Sequence, residues 1–317
     1  MVMREIVNSR SVGIRSQQQR YRRRPPSHAE LPPTVERPRR PAREGRRGSD
    51  NMMRTDSPIK RTIFRGPVLR GARNTEYLHV SHLITQCVRQ KALARKLRVP
   101  LPSQELWDSQ SITFKTGEGI GEFIVDRMKA MDGRVYGDWR CPCRQSKYTG
   151  LQTIAQSMVC NTCGHPTDIY EELHLKDEDY MLVGHCDLAV EWDNALYLTE
   201  IKSTNENGAN EVQNAPKMDH LLQLLFYIYM ARRAGLEVHS RASVLYVRKE
   251  WMRGNPYTEH VITYEDHAHL LEPYLAEALE YAEFFDTKLL PTRTVCSEMT
   301  DTRATQCYLC HECFSNV

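Results

Sequence analysis

The stretch GHCDLAVEWDNALYLTEIKS, residues 184–203, contains two apolar runs around a turn, yet it places charged residues inside both runs. Asp187 lies in the first run, and Glu200 and Lys202 lie in the second. An unpaired charge costs several kcal/mol to bury, so charges inside a buried hairpin usually pair, bind a metal ion or take part in chemistry. The stretch therefore predicts a hairpin that carries a functional site.

The two runs predict strands near residues 181–191 and 195–202, joined by a turn at residues 193–194. Side chains alternate along a strand, so Glu200 and Lys202 share one face of the second strand. Pairing of the two strands would bring the carboxylate of the first strand beside them. The pattern thus predicts two carboxylates and an ammonium at one point.

Asp187 and Glu200 would offer hard oxygen donors, which suit Mg²⁺ or Mn²⁺ with phosphate oxygens as further ligands. A metal-activated water could then attack phosphorus, and Lys202 could steer that water or balance the charge of the transition state. The structural alternative is an ion pair between Lys202 and one carboxylate in a half-exposed sheet. A D-x₁₂-E-x-K pattern alone does not separate these interpretations.

A strong helix is predicted in KMDHLLQLLFYIYMARRAG, with Gly235 as its C-terminal stop. Gln223 and Tyr227 are spaced i and i+4, so they project from one face of this helix and can reach a common ligand. The alternative for Tyr227 is ordinary core packing. For Gln223 it is an interior side chain bonded to backbone.

The motifs G-H-C-D, E-I-K and Q-L-L-F-Y together resemble the core of the PD-(D/E)XK nucleases, in particular the RecB-like branch with its Q-x-x-x-Y signature. In element order the resemblance extends over residues 77–317. It implies that Asp187, Glu200 and the Ile201 carbonyl bind metal and that Lys202 is catalytic. It also implies that Gln223 and Tyr227 contact DNA or organise the site.

One position departs from this resemblance. The family commonly has G-x-x-x-H in an earlier helix, with the histidine as an additional metal ligand. Here the matching stretch runs from Gly117 to Gly121, so glycine replaces that histidine. Glu122 beside it, or His185 beside Asp187, could substitute, and the number of metal ions stays open.

Ten cysteines in a chain with no secretory signal indicate metals rather than disulfides. One set lies near the C-terminus, and crowded thiols there need a reason because free thiols are a redox liability. The chain resembles the iron–sulfur branch of the RecB-like nucleases, which includes the CRISPR-associated exonucleases and their phage relatives. That resemblance implies a [4Fe–4S] cluster with one upstream and three downstream ligands: Cys87, Cys296, Cys307 and Cys313.

Two alternatives for this set remain open. Cys310 is either spare or takes the place of Cys296. The rival metal is zinc, bound by Cys307, Cys310, His311 and Cys313.

A second set, C-P-C-x₁₆-C-N-T-C, resembles a structural zinc ribbon with ligands Cys141, Cys143, Cys160 and Cys163. His165 could replace one thiolate. The ribbon would be inserted at about residues 139–166 and could extend a DNA-binding surface through Arg140, Arg144 and Lys147.

The charge is strongly asymmetric along the chain. Residues 1–75 carry 19 Lys/Arg against 6 Asp/Glu, although the net charge of the whole chain is only +3. This segment is rich in Arg and Pro and poor in large apolar residues, so it is predicted to be a disordered tail. Its role is either solvation or non-specific attraction to nucleic acid.

Further elements are a helix from Val80 with Ser81 as its N-cap, a helix in KTGEGIGEFIVDRMKAM after a glycine-rich entry, a strand in ASVLYVRK, and one long helix in EDHAHLLEPYLAEALEYAEFFDTK. The fold class is therefore α/β, a restriction-endonuclease-like core with a mixed central sheet flanked by helices. The nuclease domain is predicted at residues 76–317, with the iron–sulfur staple at 296–313. No membrane helix is expected, and the predicted compartment is the cytoplasm.

The function implied is a Mg²⁺- or Mn²⁺-dependent DNA exonuclease. By resemblance it acts on single-stranded DNA ends in recombination, repair or phage DNA metabolism, with a recombination or CRISPR-adaptation protein as a partner. Two alternatives are a structure-selective endonuclease and a catalytically inactive, metal-stabilised DNA-binding protein.

Overall fold

The structure is a computed structural model that describes residues 68–70, 76–100, 104–106, 108–131, 133–153, 157–249 and 255–315. The chain divides into two units, Met1–Thr55 and Asp56–Val317, and the described residues belong to the second. Most of the predicted disordered tail, residues 1–67 and 71–75, lies outside the described residues. Within that segment, residues 68–70 form a short strand that pairs with residues 104–106.

The described residues form twelve strands and nine α-helices. The strands are β1 (Val68–Arg70), β2 (Leu78–His79), β3 (Gln104–Leu106), β4 (Val135–Arg140), β5 (Lys147–Gln152), β6 (Ile169–Glu171), β7 (Leu173–Asp177), β8 (Leu182–Cys186), β9 (Leu188–Trp192), β10 (Ala195–Thr204), β11 (Arg241–Arg248) and β12 (Tyr257–Thr263). The helices are α1 (Val80–Thr85), α2 (Val88–Leu97), α3 (Asp108–Ala130), α4 (Glu206–Glu211), α5 (Met218–Arg233), α6 (Tyr264–His267), α7 (Glu272–Thr287), α8 (Thr302–Thr305) and α9 (Cys310–Phe314).

A mixed sheet is the centre of the fold. Its order in the described residues is β12-β11-β10-β9-β4-β5, and β6 also pairs with β4. Strand β10 is antiparallel to β9 and parallel to β11. A three-stranded sheet, β2-β8-β7, adjoins it, and β1 pairs with β3. This mixed sheet flanked by helices confirms the predicted α/β fold class.

Helix α5 carries the main core. Ten of its residues are buried, and the helix packs against β7, β8, β10 and β11 and against helices α1 and α6. The predicted C-terminal stop is confirmed, since Gly235 has φ +78° directly after the helix, a backbone conformation that glycine adopts without strain. Helix α5 therefore lies against the strands that carry the predicted site.

Three element predictions differ from the structure. The helix from Val80 is broken at Gln86, and its N-cap is His79 rather than Ser81. The glycines of KTGEGIGEF lie inside α3 and not before it, because α3 begins at Asp108. The long C-terminal helix is interrupted by a 3₁₀ turn, and α7 begins there with a proline in its first turn, where no backbone donor is needed.

No helix within the described residues combines the length and the apolar character that a membrane span requires.

Candidate active site and cysteine centres

The predicted hairpin is formed by β9 and β10. Asp193 and Asn194 both have positive φ, as a two-residue hairpin turn requires. The first predicted strand is broken at Asp187, which lies between β8 and β9. The pairing of Leu188 with Thr199 sets Asp187 next to Glu200. Asp187 belongs to the junction of two sheets and not to a continuous strand.

The backbone of β10 holds the Asp187 carboxylate. The Ile201 N–H donates a hydrogen bond to Asp187 Oδ2 at 2.7 Å. The carbonyl oxygen of Ile201 is the metal ligand that the family resemblance implies. The structure therefore brings Asp187, Glu200 and the backbone of Ile201 together.

Glu200 is 2% exposed and forms an ion pair with Lys202. Its Oε2 atom has no hydrogen-bond partner among the described residues. Burial and, after it, the Asp187 carboxylate raise the pKa of Glu200 to about 8 against the opposing effect of Lys202. Burial likewise raises the pKa of Asp187 to about 6. A cation in addition to Lys202 would reduce the repulsion between the Asp187 and Glu200 carboxylates and would bind the unpartnered Oε2 atom.

Lys202 stays cationic at this site. Burial alone would lower its pKa, but the Glu200 and Asp187 carboxylates outweigh burial and raise the pKa of Lys202. The side chain also lines an open cleft of about 1030 Å³ together with Asp187. A fixed positive charge therefore faces the space in which a substrate would bind.

Helix α5 places Gln223 and Tyr227 over the hairpin. Both are buried, and Gln223 Oε1 has no hydrogen-bond partner among the described residues. The Tyr227 ring packs on the backbone of Gly184, where an added Cβ would lie 2.7 Å from the ring. Glycine at the start of G-H-C-D is thus required because the tyrosine ring occupies the side-chain position.

Helix α3 forms the opposite wall of the cleft. Gly121 lines the cleft, and a Cβ added there would meet no atom within 4 Å. Glu122 on the same helix and His185 on β8 also line it. Both residues considered as substitutes for the motif histidine are therefore present at the cleft, on opposite walls.

The donors fit a hard divalent cation. Two carboxylates and one backbone carbonyl are the ligand types that Mg²⁺ and Mn²⁺ take in proteins. The orphaned Glu200 Oε2 is a buried acceptor that such an ion would satisfy.

The four cysteines of the predicted ribbon converge. Their sulfur atoms all lie within 4.8 Å of one another, and the Cys141 and Cys163 sulfurs are 3.1 Å apart. The Ser146 hydroxyl lies 3.1 Å from Cys160 Sγ, and together with backbone N–H groups it lowers the pKa of Cys160 to about 5. Four converging thiols, one of them readily ionised, fit a single tetrahedral ion.

His165 contributes a backbone carbonyl, which accepts from the Cys160 N–H at 2.8 Å. The metal-ligating group found in this region consists of the four cysteines, so His165 is not among the converging ligands. The ribbon is joined to the central sheet: β4 precedes the four cysteines, β5 lies between the two cysteine pairs and β6 follows them, and β5 and β6 both pair with β4.

The C-terminal cysteines and the upstream cysteine line a separate cavity of about 190 Å³, but among the described residues only the ribbon sulfurs converge within 4.8 Å of one another. Its lining includes all five predicted or alternative ligands: Cys87, Cys296, Cys307, Cys310 and Cys313. His311 is exposed and lies outside this lining, which disfavours the zinc alternative. The space is several times what a single water molecule needs, roughly 15 Å³.

Two residues of α2 that the sequence analysis did not single out face the sulfurs. Arg89 Nε donates to Cys313 Sγ at 3.3 Å, and Gln90 Nε2 donates to Cys307 Sγ at 3.1 Å. Arg89 also donates to the Pro291 carbonyl at 2.6 Å. Their position directly after Cys87 was the available signal, since donors next to a ligand cysteine can reach the sulfurs of its cluster.

Tyr170 was also missed. Its hydroxyl donates to the Asp187 carbonyl at 3.1 Å, and its ring makes an edge contact with Trp139. No local pattern marks it, because β6 is far from Asp187 along the chain.

Comparison with known proteins gives one family match. The family model described as the PD-(D/E)XK nuclease superfamily matches residues 124–313, more than half of the chain. Among solved structures, an alkaline exonuclease (LHK-Exo) from Laribacter hongkongensis is similar at 13% identity and a TM-score of 0.37, covering 67% of this chain and 93% of that one. No curated protein matches. The chain belongs to the PD-(D/E)XK nuclease superfamily.

Proposed function

We propose that the protein is a Mg²⁺- or Mn²⁺-dependent exonuclease that acts on the ends of single-stranded DNA in recombination, repair or phage DNA metabolism. Asp187, Glu200 and the Ile201 carbonyl would hold the divalent ion. The observation that carries this proposal is the buried Glu200 carboxylate, which has one unpartnered oxygen and lies beside Asp187 and Lys202, two residues that line an open cleft.

The bound cation would supply Lewis acidity and a lowered pKa for a water molecule at neutral pH. The protein itself supplies position and charge. The Ile201 N–H fixes the Asp187 carboxylate, and the Lys202 ammonium faces the cleft, where it can stabilise negative charge developing on phosphate oxygens. The Tyr227 ring closes the apolar side of the site against Gly184.

Two residues of the cleft wall support single-stranded DNA as the substrate. Phe114 on α3 lines the cleft and is 45% exposed, so its ring offers a surface on which an unpaired base can stack. Lys249 lines the same cleft and can contact phosphate. An aromatic surface beside basic groups is typical of single-strand binding sites.

We further propose that the C-terminal cavity holds a [4Fe–4S] cluster with Cys87, Cys296, Cys307 and Cys313 as ligands. Cys87 is half-buried, which raises the pKa of its thiol, and the thiols of Cys296, Cys313 and Cys307, which line the same cavity, raise that pKa as well. N–H donors on the sulfurs, from Arg89 and Gln90, are what a cluster needs to stabilise its charge.

The ribbon cysteines are proposed to hold one structural Zn²⁺, within an insertion at about residues 139–166 of a nuclease domain that spans residues 76–317. Two of the basic ribbon residues are engaged in ion pairs: Arg140 with Glu171 at 2.8 Å and Lys147 with Asp138 at 2.5 Å. All four line the cleft, so the ribbon strands would form part of the DNA-binding wall.

The substrate assignment is tested by digestion of end-labelled linear single strands, closed circular single strands and linear duplex, each with Mg²⁺ or Mn²⁺. The proposal predicts loss of linear single strands and survival of circles, which have no ends. Cleavage of circles at a similar rate would instead establish an endonuclease. Degradation of duplex alone would overturn the single-strand assignment.

A further inference from the structure

A hydrogen-bonded pair, His220 and Tyr246, lies next to Lys202 and has no part in the proposed reaction so far. His220 belongs to the first turn of α5, and its Nδ1 atom lies 2.8 Å from the Tyr246 hydroxyl oxygen. Tyr246 is the register partner of Lys202 between the parallel strands β11 and β10. Register partners on neighbouring strands are about 5 Å apart and point to the same side of the sheet. Lys202, Tyr246 and His220 therefore form a row from a residue that lines the cleft to the start of α5.

The Tyr246 hydroxyl determines which nitrogen of His220 carries the hydrogen. The hydroxyl oxygen accepts a hydrogen bond from the Lys217 backbone N–H at 3.0 Å. The hydroxyl donates its own hydrogen to an acceptor, and among the described residues that acceptor is His220 Nδ1. A neutral imidazole that accepts at Nδ1 carries its hydrogen on Nε2. Tyr246 thus orients the ring and makes Nε2 the donor.

The Nε2–H donor of His220 has no hydrogen-bond acceptor in the part of the chain that the structure describes. The Asp219 Oδ2 atom is 3.7 Å away, which is beyond hydrogen-bond distance. Burial and, after it, the Lys202 ammonium lower the pKa of His220 to about 4, and the Asp219 carboxylate opposes them. The ring is therefore neutral at pH 7. Its side chain is 20% exposed, so an acceptor from outside the protein can reach it.

We propose that His220 is a DNA-binding residue whose Nε2–H donates a hydrogen bond to a phosphate oxygen of the bound strand. This inference rests on the proposed function, because the strand must lie in the cleft that Lys202 lines. His220 is outside the lining of that cleft, so the phosphate that it binds is a neighbour of the scissile one.

The charges around His220 favour an anionic ligand. Lys202 is cationic, and no side-chain hydrogen bond caps the start of α5, whose first N–H groups and dipole attract negative charge. Asp219 is the opposing charge. Its side chain is 46% exposed, so solvent screens its effect on a phosphate.

Two substitutions of His220 separate a phosphate contact from a structural role. His220→Asn keeps an acceptor near the position of Nδ1 and loses the Nε2 donor, whereas His220→Gln places an amide N–H near the position of Nε2 and loses the Nδ1 acceptor. Fluorescence anisotropy of a labelled single-stranded oligonucleotide with Ca²⁺, on anaerobically purified full-length protein, measures binding. We expect His220→Asn to weaken binding roughly 10–100-fold, and His220→Gln to stay within about threefold of wild type. His239→Asn is the matched control, since His239 is also half-buried and accepts at Nδ1, and it should bind as wild type does.

Wild-type affinity in His220→Asn would overturn the contact. Binding by His220→Gln that is as weak as binding by His220→Asn, or weaker, would also overturn it, because the bond to Tyr246 would then matter and the Nε2 donor would not. Replacement of single phosphates by uncharged methylphosphonates identifies the acceptor. At one position the replacement should weaken binding by wild type but not by His220→Asn, and the lack of such a position would exclude phosphate.

Single-turnover cleavage by the same proteins with Mn²⁺ tests the proposed function separately. If wild type cleaves no DNA but the variants bind in the expected order, the nuclease proposal fails and the His220 contact stands. If wild type cleaves linear strands and His220→Asn matches it in both binding and cleavage, the nuclease proposal stands and the His220 contact is overturned.

Discussion

Glu200 couples the stability of the protein to pH. Its carboxyl is buried beside Asp187, and its pKa is raised to about 8 from the ordinary carboxyl range. The folded protein therefore keeps a proton at pH values where the unfolded chain has released it. Stability must then fall as the pH rises from about 4.5 to about 8, because the folded state binds more protons across this window.

The substitution Glu200→Gln removes this dependence, since glutamine has the same shape and does not titrate. Without divalent cation, we expect the variant to unfold at a higher temperature than wild type at pH 8, and at a similar temperature at pH 5. The expected rise in the unfolding temperature at pH 8 is roughly 2–8 °C, which corresponds to about 1–2 kcal/mol of unfolding free energy in a domain of this size. Added Mn²⁺ should stabilise wild type at pH 8 but not the variant. Equal effects of the substitution at both pH values would contradict the raised pKa.

Several residues of the site follow from local pattern alone. Glu200 and Lys202 share a face because strand side chains alternate, and Gln223 and Tyr227 share one because helix residues four apart do. Tyr170 could not be assigned in this way. Its partner, Asp187, lies in another part of the chain, and only the tertiary fold brings the two together.

Two boundaries of helices and strands also could not be predicted from the local sequence pattern. The break between α1 and α2 leaves Cys87 outside both helices, as the N-cap of α2, where it lines the cysteine cavity. Periodicity could not reveal this break, because apolar residues continue at helical spacing across it. Likewise, Asp187 interrupts two strands that alternation predicts as one, since β8 and β9 belong to different sheets.

Helix α3 offers a matched test of base stacking. Phe114 lines the cleft, whereas Phe123 on the same helix is 63% exposed and lies outside the cleft lining. We expect Phe114→Ala to weaken binding of a single-stranded oligonucleotide by roughly 5–100-fold, about 1–3 kcal/mol. Phe123→Ala should leave affinity unchanged. Fluorescence anisotropy with a labelled oligonucleotide measures the affinities of both variants. Equal affinities for the two variants would show that α3 is not part of the binding surface.

The C-terminal segment is expected to depend on the cluster. A centre that joins Cys87 to Cys307 closes a very long loop, which is worth up to about 4–5 kcal/mol in crosslinks of this kind. Cys307→Ser should therefore lose iron and acid-labile sulfide and unfold at a lower temperature. Cys310→Ser should retain four irons per chain.

Iron and sulfide analysis of both variants decides the ligand set. Loss of iron in Cys310→Ser together with retention in Cys296→Ser would assign Cys310 as the fourth ligand. Full retention of iron in Cys307→Ser would contradict the cluster assignment.

At the scale of the whole molecule, the ribbon and the active site are joined through one strand. β6 follows the ribbon cysteines, pairs with β4, and carries Tyr170, whose hydroxyl holds the Asp187 carbonyl. We expect Tyr170→Phe to lower cleavage roughly 2–10-fold, the loss of one hydrogen bond, with zinc content unchanged. Cys143→Ser should lower both zinc content and cleavage. Unaltered cleavage in zinc-depleted protein would show that the ribbon does not position Asp187.

We assign phosphodiester hydrolysis to the Asp187–Glu200–Lys202 group. Single-turnover cleavage of end-labelled linear single-stranded DNA with Mn²⁺ tests it most directly, comparing wild type, Lys202→Ala and the exposed-site control Lys96→Ala. We predict that Lys202→Ala slows cleavage by on the order of 10²–10³-fold, with DNA affinity within about threefold of wild type, because its charge acts on the transition state. Lys96→Ala should cleave as wild type does. Cleavage by Lys202→Ala at the wild-type rate would show that Lys202 does not take part in phosphodiester hydrolysis.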